Sequence, residues 1–574
     1  MRKSDKLERT LQEIYKAVDS GSQSPIYVKR SINKIGAQNS DKELIAYLTL
    51  DNNMSRAKVV QGRGKNFKRA VSNAIKTYLI NKPGDFKPNN IKLDLVTRIQ
   101  PIIEADNKQS LENTDLRINY GLDGLAFDSK LQHSLLPGEV TGYQVVKNKK
   151  IIKEQLTHAF QNHLIATKDY FSSKLEDDRT LTLYKFRTRT YFLNENTFLQ
   201  LRRNHRRYKD LTRSDLWDAI ELTKNNYFKH VVDKKGKFLY SYLPQTGENQ
   251  KKYNILRHAG TIYSMLETYK LMPDEELLTE AKRAISFLIN QIKTFEVNGI
   301  DVKVVVERDV QKVGGNALAI VALAEYTKTT GDKQYLPLMR NLATWFKEIQ
   351  TDNGEFKNHK QEHSTGKVFN FTSKFYPGEA ILALVRLYHI DKNEEWLNIA
   401  ENAANFLINI RDKGVTSQTV TPDHWLMYAL NDLYRERQNE IYLNHALLMA
   451  EGIINKQLTK KTAKRTELIG GFESKPNKTP GLTNNACWSE GLGAAYRLAY
   501  DFGHSKQALK IKNAMQLSIK YQLRGQLRPE SIMYFENKSL CLGAFHKNFK
   551  DYEIRNDYTQ HNISSLISLY EIWD

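Results

Sequence analysis

The sequence predicts a multidomain chain: a small α+β N-terminal domain, then an all-α (α/α)6 toroid of about twelve helices. Three observations predict the ring. From Ser214 onward apolar residues recur at helical spacing, with no strong strand block between helices. The helices alternate between long-loop and short-loop connections. Every second helix carries small residues in its first turns, as in Tyr253-Asn-Ile-Leu-Arg-His-Ala-Gly260, Gly314-Gly-Asn-Ala-Leu-Ala319, Pro377-Gly-Glu-Ala380 and Gly491-Leu-Gly-Ala-Ala495. Small residues suit inner helices crowded about one axis, and proline is tolerated in a first turn.

Residues 5–18 place Leu7, Leu11, Ile14 and Val18 at helical spacing. Glu43–Leu50 reads as a strand, Asp51-Asn-Asn53 as a turn and Arg56–Val60 as the returning strand. Asn66–Leu79 is a helix with Ala70, Ala74, Tyr78 and Leu79 on one face. Ile91–Ile99 alternates and reads as a half-buried strand, and Asp123–Asp128 and Gly142–Val146 as further short strands. These elements make an α+β domain over 1–149. Residues 150–213 read as a basic connector holding one strand, Leu181–Tyr191, and the run Leu201-Arg-Arg-Asn-His-Arg-Arg-Tyr-Lys209. That run is either a clamp for phosphates or carboxylates or a solvated face between domains. Over 214–574 the outer helices are 214–231, 276–293, 333–350, 394–410, 438–457 and 505–523. The inner ones are 255–269, 314–328, 377–388, 422–435, 486–500 and 558–572.

Composition bounds what such a chain does. Its 574 residues exceed one typical domain. Lys+Arg number 86 against 65 Asp+Glu, a net charge of +21. Residues 1–213 hold 39 of the basic and 23 of the acidic residues, so an anionic partner is met mainly by the N-terminal third. Two cysteines, Cys487 and Cys541, exclude a disulfide scaffold and cannot make a four-ligand zinc site alone. No cofactor or metal is expected. The first residues lack an apolar core, and no apolar run reaches a membrane span's length. The expectation is a cytoplasmic protein without a transmembrane segment.

Two resemblances follow. Ala74-Ile75, Leu93–Ile99, Gly121-Leu-Asp-Gly-Leu125 and Leu135-Leu-Pro-Gly-Glu139 are similar in order to the AMMECR1 family, which implies that family's α+β fold. Arg56-Ala-Lys-Val-Val-Gln-Gly-Arg-Gly64 stands where the family has Arg-Gly-Cys-Ile-Gly, so no activity is carried over. The twelve-helix pattern resembles the (α/α)6 toroids: six-hairpin glycosidases, unsaturated-uronyl hydrolases, polysaccharide lyases and N-acylglucosamine 2-epimerases. The 2-epimerases carry histidines on their fourth and sixth inner helices, where this chain has His424 and His561. Lanthionine cyclases and terpene cyclases share the plan, but the Cys/Cys/His zinc set and the Asp-rich motif they require are not found.

In a ring of hairpins the loops entering the inner helices converge on one face, where helix N-termini favour anionic groups. The six entrances offer Tyr253, Arg257 and His258; Glu307, Arg308 and Asp309; Lys374, Tyr376 and Glu379; Asp423, His424 and Trp425; Trp488 and Glu490; and Arg555, Asp557, Tyr558 and His561. Aromatic faces stack on sugar C–H surfaces, while carboxylates and imidazoles supply acid and base. Asp309, Glu379, Asp423, His424, Glu490 and His561 are the catalytic candidates. Tyr253, Arg257, His258, Glu307, Tyr376, Trp425, Trp488, Arg555, Asp557 and Tyr558 are the substrate-binding candidates. Each has a structural alternative: Asp423 as a helix cap, Glu379 as a dipole partner, His258 and His561 as core histidines, Arg257 in an ion pair.

The expected function is a carbohydrate-active enzyme acting on an anionic or amino-sugar glycan by hydrolysis, lysis or epimerisation. Two alternatives are a non-catalytic protein with a partner in a polysaccharide synthesis or export assembly, and a nucleic-acid binder acting through the basic N-terminal third.

Overall fold

The computed structural model describes residues 3–21, 43–102, 116–165, 182–476 and 478–574. The N-terminal part is built on one antiparallel sheet in the order 205–206, 198–202, 184–193, 90–101, 44–51, 58–64, with 123–126 pairing on 184–193. Helix Phe67–Asn81, capped by the Asn66 side chain, covers one face. It approaches closely because Gly62 has no side chain: a methyl there would overlap the backbone of Ala70 and Ala74. The other face buries Tyr47 against Phe186.

Several local expectations change. Asn90–Leu95 is buried on both faces, and only the end of that strand is exposed. The expected strand at 142–146 is not formed as such: Gly142 ends a short helix, Pro137–Gly142, opened by its proline, Tyr143–Gln144 form a turn, and only Val146–Lys147 is extended, paired with Lys150–Ile151. The connector is largely sheet: Tyr184–Leu193, Phe198–Arg202 and His205–Arg206 extend it by three strands, because Phe186, Tyr191, Phe192 and Leu193 are buried with the rest. Leu181 lies outside the described residues.

Among the described residues, six inner helices form a closed ring: Ile255–Leu271, Val313–Thr330, Tyr376–Asp391, His424–Glu436, Leu482–Asp501 and Asn556–Glu571, the last packing on the first. Their outer partners are Arg213–Leu222, Glu275–Ile289, Leu336–Ile349, Glu394–Phe406, Glu440–Ile454 and Ser505–Gln522; the first and fourth continue as π-helical turns. Inner helices are buried nearly all round because axis and outer layer cover both sides: Val313–Thr327 has no exposed residue. Glycines permit the crowding. A methyl on Gly260 would meet the Gln560 side chain at 2.7 Å, and one on Gly493 would overlap Ser568. Three outer helices end in the same device: Val232 bridges Phe238, Gln350 bridges Phe356 and Gln457 bridges Phe472. The intervening Gly236, Gly354 and Gly470 press on the carbonyls of Arg283, Asn402 and Leu517 of the next outer helix.

Strands, contrary to expectation, do lie between the helices. Ile292–Val297 and Ile300–Glu307 form a hairpin through Asn298-Gly299, both left-handed, and Val310–Lys312 and Lys360–Glu362 extend it. A second small sheet joins 241–243, 248–249, 546–548 and 551–555. The segment from Pro529 to Lys538 locks the ring to the N-terminal sheet. Arg206 donates to both oxygens of Glu530 at 2.6 and 3.0 Å, Lys538 pairs with Asp51, and Tyr534 is buried against Tyr143. No helix of the described residues is long and apolar enough to cross a membrane.

Candidate active site

Five of the six catalytic candidates lie in the N-terminal halves of four consecutive inner helices or at the cap of one of them. Glu379 comes from the third, Asp423 and His424 from the fourth, Glu490 from the fifth and His561 from the sixth. The small residues that mark these helices make room for them. A methyl on Gly314 would overlap Glu379 Oε2, one on Gly378 would come to 2.9 Å of Asp423 Oδ2, and one on Gly491 to 3.1 Å of the His424 Cα.

His561 Nδ1 and Glu490 Oε1 are 2.8 Å apart. The His424 and His561 rings meet edge to face with centroids 5.2 Å apart, and Trp425 borders both, at 4.7 and 6.2 Å. The two imidazoles are driven in opposite directions. Burial pushes His424 well below the ordinary histidine value, and His561 adds to this. Burial also acts to lower His561, but the Cys487 thiol and the Glu490 carboxylate outweigh it and hold His561 well above that value. Burial raises Glu490 despite its imidazole partner. Burial first, then the charge of Asp423, pushes Glu379 up to about 8. Burial takes Asp423 to about 7, although its Oδ1 caps the fourth inner helix through Trp425 N (3.0 Å) and Leu426 N (3.2 Å). One atom of each remains buried without a hydrogen-bond partner: Glu379 Oε2, Asp423 Oδ2, His424 Nε2 and Glu490 Oε2.

Cys487, not among the site candidates read from the sequence, joins this group; it stands three residues, about one helical turn, before Glu490 on the same helix. Ligand atoms of His424, Cys487, Glu490 and His561 all lie within 4.8 Å of one another. Thiolate, imidazole and carboxylate are zinc's preferred donors, so these residues could receive that ion in place of their protons.

The remaining candidates divide. Asp309 sits exposed at the left-handed tip of the 300–312 hairpin and accepts from Ser364 at 2.6 Å; it is not among the groups at the axis, because its segment is a β-turn rather than a helix entrance. Glu307 lies on the same hairpin and accepts from Ile255 N at 2.9 Å, holding the start of the first inner helix. His258 is fully buried with both nitrogens engaged, by Tyr253 Oη at 2.6 Å and the Ala284 carbonyl at 2.9 Å; burial lowers it to about 4. It fastens inner to outer helix and is not a binding group. Trp488 packs on Phe472, and Tyr376 lies beside Phe371 and His359.

At the rim, Asp557 accepts from Arg555 at 2.5 and 2.9 Å and pairs with Arg257 at 3.0 Å. Arg257 also donates to Tyr240, and Arg555 lies 4.3 Å from the Tyr558 ring centroid. With Tyr253 and Arg308, Tyr240, Arg257, Arg555 and Tyr558 line a cavity of about 720 Å3 over the first and sixth entrances.

No family model matches the chain, and no curated protein does. Among solved structures, the chain is similar to the GH76A α-1,6-mannanase from Salegentibacter sp. HEL1_6, at 14% identity and a TM-score of 0.44 over 63% of this chain and 99% of that one. It is similar to a D-mannose isomerase at 14% identity and a TM-score of 0.47, covering 63% and 98%. Cellobiose 2-epimerase from Bacillus thermoamylovorans B4167 matches at 14% identity and a TM-score of 0.46, covering 63% and 99%. None of these likenesses bears on which residues act.

Proposed function

We propose that the ring is the catalytic part of a carbohydrate-active enzyme that moves protons on a sugar, as an epimerase, isomerase or lyase does. The observation that carries this reading is the contact of two imidazoles, His424 and His561, which their surroundings push in opposite directions, amid buried groups whose free atoms point to no protein partner. Titratable neighbours whose environments push them apart are the mark of paired base and acid. His424, kept neutral, removes a proton from carbon. His561, kept protonated, delivers one to the oxygen on which charge develops. Glu490 is a positioning residue that orients His561 and sustains its charge. Trp425 offers an aromatic wall for a sugar face, and Arg257, Arg555, Tyr253 and Tyr558 supply a cationic, hydrogen-bonding rim for an anionic substituent.

Hydrolysis is the second reading, favoured by Glu379 and Asp423: two buried carboxylates, each with an unpartnered oxygen, held near neutrality. Incubation of the protein in D2O with a panel of neutral, amino and uronic oligosaccharides, followed by NMR, separates the two. Deuterium entering a C–H position, abolished in His424→Ala and His561→Ala, is expected. Glycosidic cleavage without C–H exchange would replace the first reading by the second. Exchange surviving both substitutions would sink the imidazole assignment.

A further inference from the structure

We infer that the seam between the N-terminal sheet and the ring carries one continuous track for an acidic polysaccharide, whose chain crosses the ring's mouth. This names the substrate class of the site proposed above and rests on that reading for its chemistry, though not for binding.

Three concavities compose the track. The first, about 720 Å3, is lined by Lys252, Arg257, Arg308, Lys547 and Arg555 against a single acid, Glu553. The second, about 640 Å3, shares Lys547 and adds Arg203, Arg465, Lys478 and Lys550 against Glu467. The third, about 450 Å3, shares Glu467 and adds Arg202, Arg207, Lys209, Lys460, Lys520 and Arg524. Because neighbouring cavities share walls, fifteen cationic side chains line one path with Glu467 and Glu553, while Asp557 and Asp551 beside it pair with Arg257, Arg555 and Lys547. Glu467 cannot neutralise its stretch: it is divided among Arg203 at 2.9 Å, Arg202 at 3.7 Å and Arg465 at 4.0 Å. A concave wall of one sign focuses its field and concentrates a polyanion.

The track is preformed. The hairpin 198–206 that supplies its far end is fixed to the ring by the paired hydrogen bonds of Arg206 to Glu530 and by His205, whose ring stacks on His546 at 5.2 Å. It also leads to the chemistry. Asn484, with its Nδ2 buried and unpartnered, lines the middle cavity three residues before Cys487, and Tyr558 lines the first three residues before His561. Three residues are about one helical turn, roughly 5 Å, so the imidazole pair lies just under the path.

The aromatic rings along it favour a glycan over a nucleic acid. A cation already lies over a face of several of them: Lys237 over Tyr253, Arg555 over Tyr558, and Arg524 over Tyr521 and Phe549. Base stacking needs open faces, whereas carboxylates at saccharide spacing need guanidinium and ammonium donors.

The test uses the full chain. Exposed Lys460, Lys478 and Lys550 are reversed together (K460E/K478E/K550E), with Lys76, Lys506 and Lys510 reversed as a control of equal charge change. Binding of fluorescent oligouronates of two and twelve units, and of single-stranded RNA of matched charge, is measured by anisotropy at several salt concentrations. The dodecamer is expected to bind at least tenfold tighter than the dimer, with affinity falling steeply with salt. The track variant should lose that gain and the control should keep it. Equal binding of both lengths, or equal loss in variant and control, overturns the track. Tighter binding of RNA than of the dodecamer overturns the glycan and assigns the track to nucleic acid. Length-dependent binding without C–H exchange leaves the track standing and removes the catalytic reading.

Discussion

Replacing Glu490 by Gln tests the central site at one atom pair. The wild-type carboxylate sits 2.8 Å from His561 Nδ1 in a fully buried setting, and Gln keeps the volume and one carbonyl oxygen while losing the charge. Leaving one partner of a buried, hydrogen-bonded charge pair alone costs about 3–5 kcal/mol. His561 can avoid that cost by releasing its proton. At about 1.4 kcal/mol per pKa unit, the lower figure corresponds to a fall of about two units. His561 is raised in the wild type, so its protonated form persists as pH rises past neutrality. In E490Q the loss of that form moves to lower pH, and the protonated fraction drops about tenfold midway between the two values and about a hundredfold at pH above both. Two measurements read this. NMR titration of 13C-labelled histidine in both proteins, with His561 assigned through His561→Asn, should show the downward shift without any substrate. The alkaline limb of kcat/KM on a substrate that the wild type turns over should move the same way, with activity partly recovered on acidification. A His561 resonance titrating identically in E490Q and wild type would refute the reasoning.

Three further outcomes follow from the same geometry. Burial lifts Glu267 to about 8, even though Tyr263 and Ser564 each donate to it at 2.6 Å; the folded state therefore binds a proton that the unfolded chain releases, stability falls as pH rises from about 4.5 to 8, and Glu267→Gln should flatten that decline by a few kcal/mol in urea melts, parallel curves refuting it. Gly354→Ala forces a left-handed residue (φ 91°) and overlaps the Asn402 carbonyl; a loss of roughly 2–4 kcal/mol is expected by thermal unfolding, and a neutral result would mean the turn is not fixed against the next outer helix. Metal analysis of protein purified without chelator distinguishes the two uses of the His424–Cys487–Glu490–His561 group: proton exchange predicts activity insensitive to chelation, while one zinc per chain, lost in Cys487→Ser, would assign these residues to a metal instead.

The ring was legible because its cause is repetitive. Helical periodicity recurs in all six inner helices, small residues mark several of them, and Gly260, Gly314 and Gly491 do admit side chains from neighbouring helices. What escaped was strand pairing between distant segments. Tyr184–Leu193 alternates like any strand, but nothing local says that its partner is Asn90–Pro101, so it read as a connector. The hairpin through Asn298-Gly299 carried a recognisable turn signal that the surrounding helices obscured, and missing it put Asp309 at a helix entrance instead of a β-turn.

The same contrast separates function from scaffolding within the site, where the sequence treats sixteen candidates alike. His258, Glu307 and Asp557 are buried or half-buried ionisable groups too, yet each is engaged: His258 through both nitrogens, Glu307 by a helix N–H, Asp557 by two arginines. A buried polar atom without a partner costs about 1–3 kcal/mol, more when charged, and folded proteins rarely keep several together. Glu379, Asp423, His424 and Glu490 each keep one, on adjacent helices around one axis. On the proposed reading the unpartnered atoms are where the sugar binds, and Asp423 would hold both roles at once: one oxygen caps its helix, and the other is left unpaired.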